Sequence, residues 1–368
     1  MKLLVDGRPI RSPLSGSAVF VVNLARAMVK FGVSPTVFMQ SDRNKNQEIK
    51  NLNDLDRLIS NKNKTIENLL SEYRFNSKAL YPYQESIVHE TYFARVPVAT
   101  SRKIATIHDV IPLDYPKWFT WRNSYFAKKN FYRQMTESKH VVFSSKFTQY
   151  QAQSYFGKSI KSSVIQLAVS ESIHKAFNSY RSNQFPHSKL ARLEPYILMV
   201  GNVEPRKNIP LVAEAIKLLE KRLNIELNLV IAGKANFNSH EILAETSRKL
   251  GKEPICLGFV SEDEKINLYQ NSACHVYASK YEGFGIPPIE SLLIGAPTVI
   301  AQNTSLLEIT PTERMGFDAT NAFDLADAME RNLFISPFED KLIDMDLIKE
   351  HFSWCRVAEE YCNIYKTI

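Results

Sequence analysis

The feature that most restricts this chain is an alternation of short apolar runs with amphipathic stretches that begins twice. The first series has a strand at Leu3 to Asp6, a helix near Ala18 to Phe31, and strands near Pro35 to Met39 and Lys103 to Ile107. It continues with a helix near Trp118 to Glu137, a strand His140 to Phe143, a helix from Lys146 to Phe156 and a strand Ser163 to Leu167. The second series restarts at Tyr196 to Val200, with a helix Ile209 to Leu223 and a strand Leu227 to Ala232 that ends at Gly233. Helices at Ser239 to Leu250 and Glu262 to Asn271 follow, the latter opened by Ser261 and Glu264 as a capping box. Strands Cys274 to Ala278 and Thr298 to Ala301 then flank a helix near Ile289 to Ile294. Continuous apolar runs suit strands buried on both faces, and parallel strands require right-handed crossover helices. The expected fold class is therefore α/β, with two doubly wound sheets. The polar stretch Asn178 to Glu194 reads as the linker, giving domains at 1–180 and 195–352. Ser41 to Lys64, rich in Asn, Lys and Asp, reads as a mobile loop.

Ligands of such sheets bind outside the carboxyl ends of the strands, so the segments after strands carry the chemistry. In Ser279–Ser291, Gly283 and Gly285 allow close backbone approach, while Glu282 and Glu290 can accept hydrogen bonds from a polyol such as a sugar or ribose. Ordinary surface and helix-start glutamates are the alternative. After the strand at Tyr196, Gly201 and Asn202 lead to adjacent Arg206 and Lys207, a pair able to neutralise a diphosphate or simply a solvated basic pair. His108 and Asp109 follow the strand at Lys103, where they could meet a sugar or support a base; a buried core histidine is the alternative.

Taken in order, these segments resemble the retaining glycosyltransferases of family 4. Glu282 to Glu290, EGFGIPPIE, matches the family's E-x7-E motif, and Gly201 to Asn208 is similar to its G-x-x-x-x-R-K-N segment. Thr106 to Asp109, the Gly16 loop before a helix, and Phe352-Ser353-Trp354 ahead of a final helix extend the likeness over nearly the whole chain. The resemblance implies the GT-B fold: two Rossmann-like domains facing a central cleft, with the final helix, 353–368, packing back on the first. It implies a nucleotide-sugar donor with its diphosphate on Arg206 and Lys207, its ribose on Glu290, and its sugar on Glu282 and the backbone of Gly283, Phe284 and Gly285. His108 would line the sugar site, and Gly16, Asp109, Gly201 and Asn202 would belong to the donor site. Transfer would proceed with retention and without metal or cofactor. The likeness to mannosyltransferases of bacterial surface-polysaccharide assembly points to GDP-mannose, with UDP-hexoses, dTDP-rhamnose or a turnover-dead scaffold as alternatives. The first loop, Ser15-Gly16-Ser17, lacks the second glycine and the arginine common in relatives, and Thr310–Asp318 replaces a glycine-containing loop.

Charge adds a partner. Residues 1–185 carry a net +14 and residues 186–368 a net −7. The stretch Lys117 to Lys139 interleaves Trp118, Phe119, Trp121, Tyr125, Phe126, Phe131 and Tyr132 with Arg122, Lys128, Lys129 and Arg133. A basic aromatic helix of this kind suits an anionic membrane surface and a lipid-linked saccharide acceptor, with core packing of the aromatic face as the alternative. No nucleic-acid-binding signature is present. The start of the chain turns polar after three apolar residues, unlike a secretory leader, and no run reaches membrane-spanning length. The four cysteines form no CxxC pair. These readings together predict a cytoplasmic protein, peripheral on the inner face of the plasma membrane.

Overall fold

The computed structural model describes residues 2–8, 10, 16–40, 46–49, 84–92, 96, 98, 100–157, 161–181, 195–235 and 239–368. The chain divides into two compact units, Met1–Ala168 with Ser353–Ile368, and Val169–Phe352.

The first unit is built on strands β1 (Leu3–Asp6), β2 (Thr36–Gln40), β3 (Asn46–Ile49), β4 (Ile87–Glu90), β5 (Lys103–Ile107), β6 (His140–Phe143) and β7 (Ser162–Val164). Their order is β3-β2-β1-β4-β5-β6-β7, parallel throughout except for the antiparallel edge strand β3. Helices α1 (Gly16–Met28), α2 (Trp121–Glu137) and α3 (Lys146–Phe156) belong to it. Every residue of β1, β4, β5 and β6 is buried, polar ones included: Asp6 in β1, His89 and Glu90 in β4, Lys103 and Thr106 in β5, and His140 in β6. β1, β5 and β6 are mainly apolar and read as strands, whereas β4 is half polar and does not read as one. Part of the presumed mobile loop is therefore a strand: residues 46–49 pair with β2, and edge pairing needs only backbone groups, so no apolar pattern marks it. The rest of Ser41 to Lys64 lies outside the described residues.

The second unit holds β8 (Tyr196–Val200), β9 (Asn228–Ala232), β10 (Ile255–Gly258), β11 (Cys274–Tyr277), β12 (Thr298–Ala301) and β13 (Gly316–Phe317) in the all-parallel order β10-β9-β8-β11-β12-β13. Its helices are α4 (Glu171–Arg181), α5 (Ile209–Leu223), α6 (Ser239–Leu250), α7 (Glu262–Asn271), α8 (Ile286–Ile294), α9 (Ala322–Asn332) and α10 (Met345–His351). The capping box of α7 forms in full, with Ser261 and Glu264 each holding the other's backbone N–H.

The domain boundary requires a correction. Residues 169–180, assigned by sequence to the first domain, belong to the second, because α4 starts there and packs on α8. His174 bonds the Phe352 carbonyl at 3.2 Å, Phe177 meets Phe338, and Ser170 donates to Glu262. The polar residues 182–194 come after this helix and lie outside the described residues. The final helix α11 (Trp354–Lys366), capped by Ser353, lies against α1 in the first unit. Its Tyr365 bonds His89 at 2.8 Å, and its Tyr361 bonds Thr106 at 2.8 Å. His89 and Thr106 are themselves joined at 2.7 Å. This chain of buried hydroxyl and imidazole groups ties α11 to the centre of the sheet.

Candidate active site

In the second unit the strand order reverses between β8 and β11, the place where a doubly wound sheet opens a crevice at its carboxyl edge. The loops after these two strands are Gly201–Lys207 and Ser279–Gly285. They are joined by Lys280 N–H, which donates to the Arg206 carbonyl at 2.7 Å.

Lys207 ends a short 3-10 turn, Pro205–Lys207, closed by Asn208 at φ 56°, whose side chain is fixed on the Ala319 carbonyl at 2.8 Å. The Lys207 side chain is buried and runs beside Gly201, where a Cβ would stand 2.9 Å from its Cε. Gly233, at the end of β9, is tighter still: a Cβ there would fall 1.9 Å from the Gly201 carbonyl oxygen. Two glycines on neighbouring strands thus let the loop after β8 fold down onto the sheet edge.

The Lys207 ammonium donates to Glu282 Oε1 at 2.8 Å and to the Tyr277 hydroxyl at 2.8 Å. The Arg206 guanidinium donates through Nη1 to the same Glu282 Oε1 and through Nε to Glu204 at 2.7 Å. Burial alone would raise the Glu282 carboxyl, but Lys207 and Arg206 outweigh burial and hold it at about 2. Burial brings Lys207 down to about 8, against the upward pull of Glu282. The loop carrying Glu282 is strapped from the segment after β12. Asn303 donates to the Ser279 carbonyl at 3.0 Å, and Ser305 Oγ lies 2.9 Å from the Glu282 carbonyl and 3.0 Å from that of Phe284. Gly285, at φ 106°, opens α8, and a Cβ on it would meet Leu306 at 2.6 Å.

Glu290, on α8, is also buried and fully engaged. It accepts from Lys265 at 2.7 Å and from the Tyr269 hydroxyl at 3.1 Å. Behind the two glutamates three buried rings stand in a row: Tyr269 lies 5.1 Å from His275, and His275 6.1 Å from Tyr277. Burial lowers His275 to about 3, so it is a neutral spacer between the two clusters.

Arg206, Lys207, Glu282 and Gly201 are therefore brought together, with Gly283, Phe284 and Gly285 on the same loop and Glu290 on the helix that follows. The Phe284 ring is buried edge-on to Phe352. Asn202 is exposed, and its Oδ1 accepts from Lys234 N–H at 3.2 Å. In the first unit, the His108 ring nitrogens are buried without a partner among the described residues. The ring stands edge-on to Phe20, and burial lowers it to about 4. Asp109 accepts from Ile111 N–H at 3.1 Å, a local turn-forming contact. Gly16 is exposed at the start of α1 with no atom within 4 Å of a notional Cβ, so sterics do not demand glycine there.

Sequence reading missed Tyr277, Glu204, Lys265, Tyr269, Gly233 and the strap Asn303–Ser305. Gly233 carried a signal, since it is a glycine directly after an apolar strand. Among the described residues, no group of three or more His, Cys, Asp or Glu is arranged to hold a metal.

Two family models match in succession. The one described as Glycosyltransferase Family 4 covers residues 14–172, and the one described as Glycosyl transferases group 1 covers residues 181–343. The chain is 31% identical over 169 residues to the serotype-specific mannosyltransferase WbdA of Escherichia coli, covering 45% of this chain and 21% of that protein. The chain thus spans about a fifth of that relative's length. It is 24% identical over 308 residues to the O-antigen chain mannosyltransferase B of Escherichia coli, covering 79% of this chain and 76% of that one. Among solved structures, the sucrose-phosphate synthase of Thermosynechococcus elongatus shares the fold, with a TM-score of 0.71 at 16% identity over 100% of this chain and 99% of the other.

Proposed function

We propose, for a chain that belongs to the family 4 glycosyltransferases of the GT-B fold, that it moves a hexose from a nucleoside-diphosphate sugar to a saccharide or lipid-linked saccharide in surface-polysaccharide synthesis. The observation that carries this reading is the convergence of Arg206, Lys207 and Glu282 at the strand-order reversal of the second unit. Two cations beside a polyol-binding carboxylate fit the two ends of such a donor. The guanidinium and ammonium would stabilise charge that grows on the diphosphate as its bond to the sugar carbon breaks. The acceptor oxygen then bonds to that carbon and its proton passes to the leaving phosphate. No metal enters this scheme, and attack from the face the diphosphate leaves would retain the anomeric configuration. Glu290 would hold the ribose in place of its present Lys265 and Tyr269 contacts.

Mannose is the favoured sugar and GDP-mannose the favoured donor, on the strength of the two mannosyltransferase relatives. A lipid-linked acceptor would place the protein at the inner face of a membrane. The reading is tested by thermal shift with GDP, UDP, dTDP and ADP and their sugar conjugates, since a ligand specific to the native state raises its melting temperature. Stabilisation by GDP and GDP-mannose above the others supports the mannosyl reading. A larger shift with a UDP or dTDP pair reassigns the donor, and no shift with any of them refutes a nucleotide-sugar site.

A further inference from the structure

We infer that Glu282 is an internal counter-anion for Arg206 and Lys207, competing with the diphosphate for the same N–H donors and returning to them to drive the nucleoside diphosphate out after transfer. The inference rests on the donor reading above and goes beyond it, because it gives the carboxylate a role in product release.

The geometry sorts the partners of each cation into one kept and one exchangeable. Lys207 is held by the Tyr277 hydroxyl at 2.8 Å and by Glu282 Oε1 at 2.8 Å. Arg206 is held through Nε by Glu204 at 2.7 Å and through Nη1 by Glu282 Oε1. One carboxylate oxygen is thus shared by both cations, while Tyr277 and Glu204 serve one cation each. If Glu282 turns away, neither cation loses its anchor, and the two donor groups it vacates point to one place, suited to one phosphate. The cluster as it stands is electrically balanced, two cations against Glu204 and Glu282, in a setting where Glu282 and Lys207 are buried. A diphosphate entering without exchange would put excess negative charge into that setting, which is costly. The exchange needs only a side-chain rotation. The Glu282 backbone is fixed on both sides, its N–H on Thr304 at 3.3 Å and its carbonyl under Ser305 at 2.9 Å. The rotated carboxylate is then free for the hydroxyls of the sugar. When the sugar has left, the same oxygen becomes the nearest competitor for the phosphate's place.

The test is calorimetric titration of inorganic pyrophosphate, GDP and UDP into the full chain and into Glu282→Gln, which keeps the shape and removes the charge, at a pH well below 8 so that Lys207 keeps its proton in both forms. Competition predicts that Glu282→Gln binds pyrophosphate about tenfold more tightly than the parent, a difference of about 1.4 kcal/mol, although its ligand-free form melts lower. A merely structural pair predicts the reverse, weaker binding together with the lower melting point. Should the glutamine variant not fold, Glu282→Asp keeps the charge but reaches less far, and it should bind pyrophosphate several-fold more tightly. Unchanged or weaker binding by the folded variant overturns the inference. A parent protein that binds pyrophosphate and a nucleoside diphosphate, with variants that gain nothing, leaves the donor reading standing and removes only this one. A parent that binds none of the probes removes both.

Discussion

At the scale of single residues, the second unit shows how a buried ammonium can be kept charged and available. Burial lowers Lys207 to about 8, and without Glu282 it would fall further. The free enzyme should therefore lose donor capture as the pH rises through about 8, because a neutral amine no longer offsets phosphate charge. The stability effect has the opposite sign. Between about 8 and the ordinary lysine value the unfolded chain holds a proton that the folded one has released, so this group makes the folded state more stable as pH rises. A pH profile of kcat/KM should show a basic limb near 8 in the parent, and Lys207→Arg should move that limb outward, since a guanidinium stays charged. A basic limb unmoved by the arginine substitution would assign it to another group. Lys207→Ala should lower kcat on the order of 100-fold or more, as removal of one preorganised donor does elsewhere, with the fold intact by circular dichroism. Tyr277→Phe removes the second anchor of the ammonium and should weaken pyrophosphate binding, the opposite direction to Glu282→Gln. Arg206, Lys207, Glu282 and Glu290 were legible in the sequence because each sits at a fixed offset from a strand end. Tyr277 was not, because it is the last residue of a strand and reads as one more apolar core position, although its hydroxyl carries the contact that matters.

At the scale of elements, the sequence reveals strands whose apolar residues run together and hides the others, the fully buried but half-polar β4 included. The strands β8, β11 and β12 were evident as apolar runs, whereas β10, whose residues are half-buried or exposed, and the two-residue β13 left no run to find. Helix α4 was hidden by its polar neighbourhood, and this displaced the domain boundary. Glycine spacing was more informative than apolar content around the site. Gly233 permits the loop after β8 to lie on the end of β9, where a Cβ would overlap the Gly201 carbonyl. Gly233→Ala must push that loop away from the sheet, and overpacking of this kind costs about 1 to 3 kcal/mol. The variant should melt lower and also lose pyrophosphate affinity, because Arg206 and Lys207 move with the loop. A variant that melts lower but binds as the parent does would show that the loop positions nothing. In the first unit the equivalent test is on α11. Tyr365→Phe leaves buried His89 without its Nδ1 partner, and an unsatisfied buried polar group costs about 1 to 3 kcal/mol. Chemical denaturation should register that loss.

At the scale of the whole molecule, the uneven charge of the chain acquires a location. The basic half includes α2, whose inner face, Ala127, Phe131, Gln134 and Met135, is core. Of the aromatic residues on this helix only Phe131 is buried, so core packing does not account for the rest. Trp121 is 75% exposed, Tyr125 60% and Tyr132 58%, and these three recur at helical spacing along one stripe with Lys128. Arg122 lies 5.4 Å from the Trp121 ring, and Lys129 is exposed beside the stripe. Arg133, grouped with these cations by sequence, is a different case. It makes a two-pronged pair with buried Glu90, at 2.7 and 3.1 Å, and fastens α2 to the end of β4. The surface therefore offers three cations and several amphipathic rings, the side chains that settle at a lipid headgroup layer. Each cation near an anionic surface is worth about 1 kcal/mol, so three of them supply roughly two decades of affinity before the rings contribute. Replacing Arg122, Lys128 and Lys129 by Gln should weaken co-flotation with vesicles containing anionic lipid roughly 100-fold, leave the melting temperature unchanged, and spare transfer to a soluble saccharide acceptor. Adding Trp121→Ala should remove whatever binding survives in high salt, where charge attraction is screened and ring insertion is not. If the triple variant floats as the parent does, or the parent binds neutral and anionic vesicles alike, this face has another purpose and the basic excess is only a solvated surface.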